Sequence, residues 1–103
     1  MSNYTSNDII NAIAAAAKAL EARKDEINRL NVFPVPDGDT GTNMTQTITS
    51  AIKEMNLKRY TSVADVSDAV ARGALKGARG NSGVILSQIL RGFARALAGH
   101  EEI

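Results

Sequence analysis

The chain has 103 residues, of which 44% are hydrophobic and 22% are charged, and its formal net charge is +1. This length accommodates one domain, and the absence of cysteine excludes a disulfide scaffold, a thiol nucleophile and a cysteine-ligated metal. Because His100 is the only histidine, a multi-histidine metal site is excluded and a Ser-His-Asp triad is disfavoured. Any metal must therefore be bound by oxygen, which indicates Mg²⁺ or Ca²⁺.

The N-terminal segment has no basic patch of the kind that begins a signal peptide. The longest apolar stretch there, Ala12–Ala17, is broken by Lys18 and is too short to cross a bilayer. We therefore expect a cytoplasmic protein with no integral membrane segment. No acidic residue occurs between Asp68 and Glu101, so we expect the second half of the chain to attract anions such as phosphates.

The hydrophobic periodicity predicts four helices and no strand, and therefore an all-α antiparallel bundle. The first helix begins near Thr5 or Ser6, where Thr5 and Asp8 resemble a capping box, and it extends to Leu30. Its apolar residues recur at intervals of three, four or seven and form one stripe: Ile9, Ile13, Ala16, Leu20, Ile27 and Leu30.

The segment Asn31–Thr40 contains both prolines of the chain and must be a stiff loop. Asp37 and Asp39 lie at its end, separated by one glycine, just before a helix. Two carboxylates so close repel each other unless a cation lies between them, and Mg²⁺ accepts one or two carboxylates together with phosphate oxygens. A simple turn followed by a helix N-cap would use the same residue types, so that interpretation stays open.

Neutral oxygen ligands or hydrogen-bonding groups follow these carboxylates at Thr40, Thr42 and Asn43. The second helix extends from about Gly41 to Met55. The third begins at Ser62, where Ser62 and Asp65 form another predicted capping box. Its predicted inner face consists of Val63, Val66, Val70 and Ala74.

A glycine-rich loop, 77–82, leads into a fourth helix from about Ser82 to Ala98. Such a loop presents free backbone N–H groups at the positive end of the helix dipole, and Arg79 adds a charge suited to phosphate. The candidate contacts are Arg79, Gly80, Asn81, Ser82 and Gly83. The pattern is neither a Walker A loop nor a dinucleotide fingerprint. The alternative is a tight helix–helix turn in which the glycines only permit close packing.

The fourth helix carries more apolar surface than an outer helix needs, so we expect it to be covered on two sides. Its apolar residues are Val84, Ile85, Leu86, Ile89, Leu90, Phe93 and Leu97.

The stretch Asn31–Met44 followed by Gly77–Gln88 closely resembles the nucleotide-binding domain of the dihydroxyacetone kinase family. It looks closest to the branch found as the N-terminal domain of the bacterial fatty-acid kinase large subunit. The resemblance extends from about Asn7 to Ala98. It implies an antiparallel barrel of eight helices, of which four are about half, so that residues 1–103 would be a single, partial kinase domain.

The resemblance also implies a ligand set, namely ATP and two Mg²⁺ ions at the mouth of the barrel. It assigns metal binding to Asp37 and Asp39, and phosphate contact to Thr42, Asn43 and the turn 80–83. The dihydroxyacetone kinases have a third aspartate before this pair, and here the neutral Asn31 would replace it. No catalytic side chain is predicted.

The leading hypothesis is the ATP- and Mg²⁺-binding portion of a kinase whose acceptor is a fatty-acid carboxylate held by a separate lipid-binding protein. A carboxylate is already ionised at neutral pH, so positioning and charge neutralisation suffice for transfer. The alternative is a non-catalytic helical interaction module that retains the fold. Nucleic-acid binding is disfavoured, because basic residues are sparse and only four aromatic side chains occur. We expect the isolated chain to form a homodimer with little or no kinase turnover.

Overall fold

The computed structural model describes residues 3–30 and 38–103, and within these ranges the chain forms four α-helices and no strand. The helices are α1 (Ser6–Leu30), α2 (Thr40–Met55), α3 (Val63–Lys76) and α4 (Gly80–Ala96). The predicted all-α class is confirmed. In the described part of the chain, no helix combines the length and the apolar character that crossing a membrane requires.

Each of the two predicted capping boxes is formed in part, with one of its two reciprocal backbone bonds present. At α1, the Asp8 carboxylate accepts hydrogen bonds from the Thr5 backbone N–H at 2.8 Å and from the Thr5 hydroxyl at 3.2 Å. At α3, the Ser62 hydroxyl accepts a hydrogen bond from the Asp65 N–H at 3.1 Å. These bonds satisfy backbone donors that a helix start leaves without an intrahelical partner.

Helices α2 and α3 form the centre of the fold. Helix α1 packs on α2 and, less extensively, on α3, whereas α4 packs on α3 and α2. No Cα atom of α1 lies within 8 Å of a Cα atom of α4, so these two described helices are the outer ones. The predicted inner face of α3 is confirmed, because its three valines and one alanine are all buried. The core consists of Ile9, Ile13, Ile48, Ala51, Met55, Val63, Val66, Val70, Ala74, Leu90 and Leu97.

Glycine allows α3 to approach α2 closely. A Cβ atom on Gly73 would lie 2.7 Å from the Ser50 carbonyl oxygen and 2.8 Å from the Ala51 Cα atom, and a Cβ on Gly77 would overlap the Ser50 side chain. The Ser50 hydroxyl donates a hydrogen bond to the Gly73 carbonyl at 2.7 Å. We call this contact, formed by Ser50, Ala51, Gly73 and Gly77, the α2–α3 crossing. It leaves no room for a side chain at Gly73.

A cluster of charges lies beside the α2–α3 crossing. The Glu54 carboxylate, whose side chain is 13% exposed, lies 3.1 Å from the Lys76 ammonium and 3.8 Å from the Arg72 guanidinium. Arg72 also forms an ion pair with Asp68 on its own helix. These cations are therefore already neutralised by carboxylates of the same chain.

Helix α4 buries one side only. Gly83, Ser87 and Leu90 are buried along it, and Leu97 is buried just beyond its end. Within the described residues nothing covers a second side, contrary to the prediction from its composition. The apolar residues left exposed on it are Val84, Ile85, Ile89 and Phe93.

The two ends of the described chain are fastened together. Tyr4 and Ile103 exchange backbone hydrogen bonds, one of which runs from the Ile103 N–H to the Tyr4 carbonyl at 2.9 Å. The carbonyl oxygens of residues 101 and 100 accept hydrogen bonds from the N–H groups of Val63 and Ala64 at 2.8 and 3.0 Å. We call this arrangement the terminal clasp. It satisfies two free donors at the start of α3.

Candidate functional site

Helix α2 begins against the end of α1. Gly41 is buried there, and a Cβ atom on it would overlap the carbonyl oxygen of Lys24. The Asn28 side chain accepts a hydrogen bond from the Thr42 N–H at 3.0 Å and donates one to the Thr42 hydroxyl at 2.9 Å. Asn28 thereby caps α2 from a neighbouring helix, whereas the side chain of Asp39, the residue at the N-cap position, makes no capping hydrogen bond.

Helix α4 begins at Gly80, which has a φ of +64°, with Arg79 at the N-cap position. The Thr47 hydroxyl accepts a hydrogen bond from the Arg79 N–H at 3.2 Å and donates one to the Asn43 carbonyl at 2.8 Å. Gly83 is buried against the same hydroxyl, with no space for a Cβ atom. The first turn of α4 is therefore fixed by polar groups of α2.

The starts of α2 and α4 lie side by side. The Ser82 hydroxyl donates a hydrogen bond to the Thr40 carbonyl at 3.3 Å, and Gly80 packs against the Asn43 side-chain amide. We call this region, residues 38–43 and 79–83, the α2–α4 junction. Each helix start carries N–H groups without intrahelical partners and the positive end of a dipole, so the junction favours a bound anion electrostatically.

Every predicted site residue that the structure describes lies at this junction, whereas Asn31 and Asp37 lie outside the described residues. The two candidate segments, which are separated along the chain by most of α2 and all of α3, are thus brought together. The described members are Asp39, Thr40, Thr42, Asn43, Arg79, Gly80, Asn81, Ser82 and Gly83.

The members of the junction differ in their access to solvent. Asp39, Arg79, Gly80 and Asn81 are exposed, so a ligand can reach them directly. Gly83 is buried, and its contact with the Thr47 hydroxyl explains by packing alone why a glycine is needed there. The remaining residues are half-buried: Thr40, Thr42, Asn43 and Ser82.

Fewer basic residues in the second half of the chain are available to an anion than its composition predicts. Lys76 is paired with Glu54, and Arg91 and Arg95 line a groove between α3 and α4 that also contains two aspartates. Arg79 is exposed and forms no ion pair with any of the residues that the structure describes. Arg79 therefore adds to the junction a positive charge that is unpaired among the described residues, whereas Arg91 and Arg95 add theirs to the groove between α3 and α4.

Oxygen donors of the kind that Mg²⁺ prefers are present at the junction. Asp39 is exposed just before α2, after Gly38 with a φ of +69°, and the hydroxyls of Thr40 and Thr42 follow it. Carboxylate and hydroxyl oxygens are the hard ligands that Mg²⁺ prefers. Among the described residues no three His, Cys, Asp or Glu side chains form a cluster that could hold an ion, so a purely protein cage is not formed there.

Two structurally important residues, Asn28 and Thr47, escaped the sequence analysis. Asn28 precedes Thr42 by 14 residues, so no local capping pattern identifies it. Thr47 lies one helical turn after Asn43, and this spacing could have indicated that its hydroxyl bonds to the Asn43 carbonyl.

The sequence profile of the DAK2 domain family matches residues 34–103 of this chain. Over 91 residues the chain is 47% identical to an uncharacterized protein of Staphylococcus epidermidis, to protein YloV of Bacillus subtilis and to an uncharacterized protein of Staphylococcus haemolyticus. Each alignment covers 88% of this chain and 16% of the relative. The chain thus spans about a sixth of the length of the curated relatives it matches.

Proposed function

Since this chain belongs to the DAK2 domain family, we propose that it is the nucleotide-binding portion of a kinase of the dihydroxyacetone and fatty-acid kinase type. Residues 1–103 are then a single, partial domain that binds ATP together with Mg²⁺ at the α2–α4 junction. The observation that carries this proposal is the contact between the two motif segments, where the Ser82 hydroxyl lies 3.3 Å from the Thr40 carbonyl.

The phosphate groups are expected to lie over the start of α4 rather than equally over both helices. The Thr42 N–H is already bonded to Asn28, so Thr42 offers a phosphate the proton of its hydroxyl, not its backbone donor. Gly80 and Asn81 are exposed in the first turn of α4, where N–H groups lack intrahelical partners. Exposed Arg79 adds a charge-assisted hydrogen bond.

Magnesium would be held by Asp39 together with Asp37, with Asn31 as a neutral third ligand and a second ion sharing the phosphates. When bound, Mg²⁺ supplies neutralisation of the phosphate charge. Asp39 is exposed and directly precedes Thr40, whose carbonyl accepts the hydrogen bond from Ser82. Asp39 therefore lies at the junction.

The acceptor in this proposal is a fatty-acid carboxylate presented by a separate lipid-binding protein. A carboxylate is ionised at neutral pH, so transfer of the γ-phosphoryl group of ATP to it, with ADP as the leaving group, needs no general base from this chain. The one histidine is consistent with this role, because His100 is exposed and its carbonyl belongs to the terminal clasp rather than to the junction. In this proposal the described residues position the phosphate groups and supply positive electrostatic potential around them.

The exposed apolar side of α4 favours a second candidate, a non-catalytic helical module that binds another protein. The two candidates differ in their dependence on Mg²⁺. A module that only retains the fold would bind its partner equally well with or without Mg²⁺ and would show no specific affinity for ATP.

Titration calorimetry with ATP, in the presence and absence of Mg²⁺, tests the proposal. We expect Asp39→Ala to lower the Mg²⁺-dependent affinity for ATP at least about tenfold, as the loss of a direct metal ligand should. Asp65→Ala, which removes an exposed carboxylate from the first turn of α3, is the matched control and should bind like the unmodified chain. Equal binding by both variants, with unchanged helix content, would contradict the proposal.

A second experiment addresses transfer itself. An acyl-phosphate assay with the isolated chain should detect little or no turnover, because the proposal treats these residues as part of a larger nucleotide site. Robust turnover would show that the four helices suffice for the reaction.

A further inference from the structure

Thr47 lies in α2 with its side chain fully buried beside the α2–α4 junction. Its hydroxyl donates a hydrogen bond to the Asn43 carbonyl at 2.8 Å and accepts one from the Arg79 N–H at 3.2 Å, so it bonds to both segments of the junction. Gly83 packs against the same oxygen atom, with no room for a Cβ. Thr47 therefore contacts three of the proposed phosphate contacts, although its own burial keeps it from any ligand.

The folding of α2 does not require a hydroxyl at position 47. Threonine is a weaker helix former than alanine, and a hydroxyl that bonds back to the preceding turn competes with the helix rather than supporting it. Thr49 makes the same kind of bond, to the Thr45 carbonyl at 2.8 Å, from an exposed position. What distinguishes Thr47 is its second bond, which joins α2 to the Arg79 N–H across 32 positions of the chain.

The bond from Arg79 fixes the turn that leads into α4, which we call the Arg79–Gly80 turn. Arg79 has an extended backbone, with a φ of −124° and a ψ of 128°, and Gly80 follows with a φ of +64°. This change in backbone direction determines where the first N–H groups of α4 point, and those groups have no intrahelical partners. Gly80 also packs against the Asn43 side-chain amide. One buried hydroxyl thus ties the turn to the residue whose side chain lies beside it.

We propose that Thr47 is a positioning residue for the phosphate groups of the nucleotide, an inference that rests on the proposed function. Its hydroxyl holds the Arg79–Gly80 turn against Asn43, so the N–H groups of α4 and the Asn43 amide are arranged around one phosphate before it binds. Ordering these groups beforehand removes a conformational cost from binding. Loss of the hydroxyl leaves the Arg79 N–H without its partner and allows the turn to move away from Asn43.

Thr47→Val tests this role because it removes the hydroxyl and nearly preserves the shape of the side chain. Titration calorimetry with Mg²⁺–ATP should show a dissociation constant at least about fivefold higher, as the loss of one buried hydrogen bond implies. Thr47→Ser retains the hydroxyl and should bind within about twofold of the unmodified chain. Thr49→Val, the matched control, loses the same kind of bond within α2 and should bind normally. Equal affinity of Thr47→Val and Thr49→Val, or a Thr47→Ser variant as weak as Thr47→Val, would overturn the proposal.

A double-variant cycle separates positioning from general destabilisation. If Thr47 acts through the Arg79–Gly80 turn, Thr47→Val and Arg79→Ala disturb the same contact, and their combined loss of ATP affinity should be at least about threefold smaller than the product of the separate losses. Thr47→Val combined with Asp39→Ala should show losses that multiply, because Asp39 acts on the metal. Losses that multiply in both pairs would show that Thr47 does not act through the turn.

Hydrogen exchange of the unmodified chain provides a test that needs no folded variant. Because the bond to Thr47 and the bound phosphate stabilise the same turn, saturating Mg²⁺–ATP should slow exchange of the Arg79 amide at least about fivefold. An Arg79 amide whose exchange is unchanged at saturation would overturn the proposal. A chain with no Mg²⁺-dependent affinity for ATP would contradict the proposed function and this inference with it, whereas normal affinity in Thr47→Val would contradict this inference alone.

Discussion

The α2–α3 crossing and the α2–α4 junction both depend on glycine, but the atoms around the glycines differ. At the crossing, a side chain on Gly73 would meet backbone atoms of α2, which cannot move without displacing the helix. At the junction, a side chain on Gly80 or Gly83 would meet polar side-chain atoms, the Asn43 amide and the Thr47 hydroxyl. At the crossing, Gly73 is buried between two helices, whereas the junction contains both a buried glycine, Gly83, and an exposed one, Gly80.

This difference shows that the glycines of one motif can have two roles, helix packing and ligand contact. Gly83 belongs to the segment whose pattern suggests phosphate binding, yet its contact with Thr47 gives it a packing role of the same kind as that of Gly73. Contact with a ligand is left to the exposed residues Arg79, Gly80 and Asn81. Substitution of a buried glycine therefore cannot distinguish a ligand site from a turn, whereas substitution of an exposed residue can.

The largest effect is expected at the crossing. Gly73→Val should lower the free energy of unfolding by about 3 kcal/mol or more, because the new side chain forces α2 and α3 apart. Gly92→Ala is the matched control and should raise the free energy of unfolding by about 0.5–1 kcal/mol, since its Cβ enters open space. Chemical denaturation followed by circular dichroism measures both. A Gly73→Val chain as stable as the control would show that the helices are not in close contact.

Loss of the cap supplied by α1 should have the next largest effect. Asn28→Ala removes two hydrogen bonds to Thr42 and should cost about 1–2 kcal/mol. Ser62→Ala, which removes one local capping bond at α3, should cost about 1 kcal/mol. If both variants are equally stable, the cross-helix cap contributes no more than an ordinary local one.

Gly80→Ala should cost about 1 kcal/mol, because an alanine is strained at a φ of +64° and the Asn43 side chain must move. Thermal denaturation measures this loss of stability. The same variant should also bind Mg²⁺–ATP more weakly, since its methyl group displaces the Asn43 side chain, which is a proposed phosphate contact. Weaker binding at unchanged stability would assign this glycine to ligand contact alone.

Two cations, Lys76 beside the crossing and Arg79 at the junction, should respond differently to substitution. Lys76→Ala should lower stability by no more than about 0.5 kcal/mol and leave ATP affinity unchanged, because Lys76 is exposed and paired with Glu54. Arg79→Ala should leave stability unchanged and lower ATP affinity about tenfold. Calorimetric titration and melting curves of the two variants provide the comparison. Equal ATP affinity would exclude Arg79 from the phosphate site.

The smallest effect is expected from acid at an exposed pair on α1. Arg23 donates hydrogen bonds to Glu26, which lowers the pKa of Glu26 below its ordinary value. A lowered folded-state pKa means that the stabilisation is present above the ordinary pKa and is lost as the pH falls through the lowered one. Glu26→Gln should therefore remove a slight acid-dependent decrease in melting temperature. A pH series of melting curves for both chains checks this.

The helices followed from the sequence because each has a regular apolar side, and α3 in particular buries the four residues that its periodicity indicates. The sequence predicts the start of α4 near Ser82, two residues late, because Gly80 enters the helix with a positive φ that no apolar pattern indicates. The junction could be predicted because charged and glycine-rich segments are visible locally. The contact that caps α2 at the junction could not be predicted, because Asn28 and Thr42 are separated by 14 positions along the chain.

The terminal clasp also bears on the order of the helices along the chain. Tyr4 and Ile103 are already bonded to each other, so a short linker between the two ends would span almost no distance. New ends could then be opened between α2 and α3, at the exposed residues Leu57 and Lys58, which lie outside the core. The resulting circular permutant would run α3, α4, α1, α2 and retain the same packing. In such a chain α1 would directly follow α4, and the two segments of the junction would occur in the reverse order along the chain.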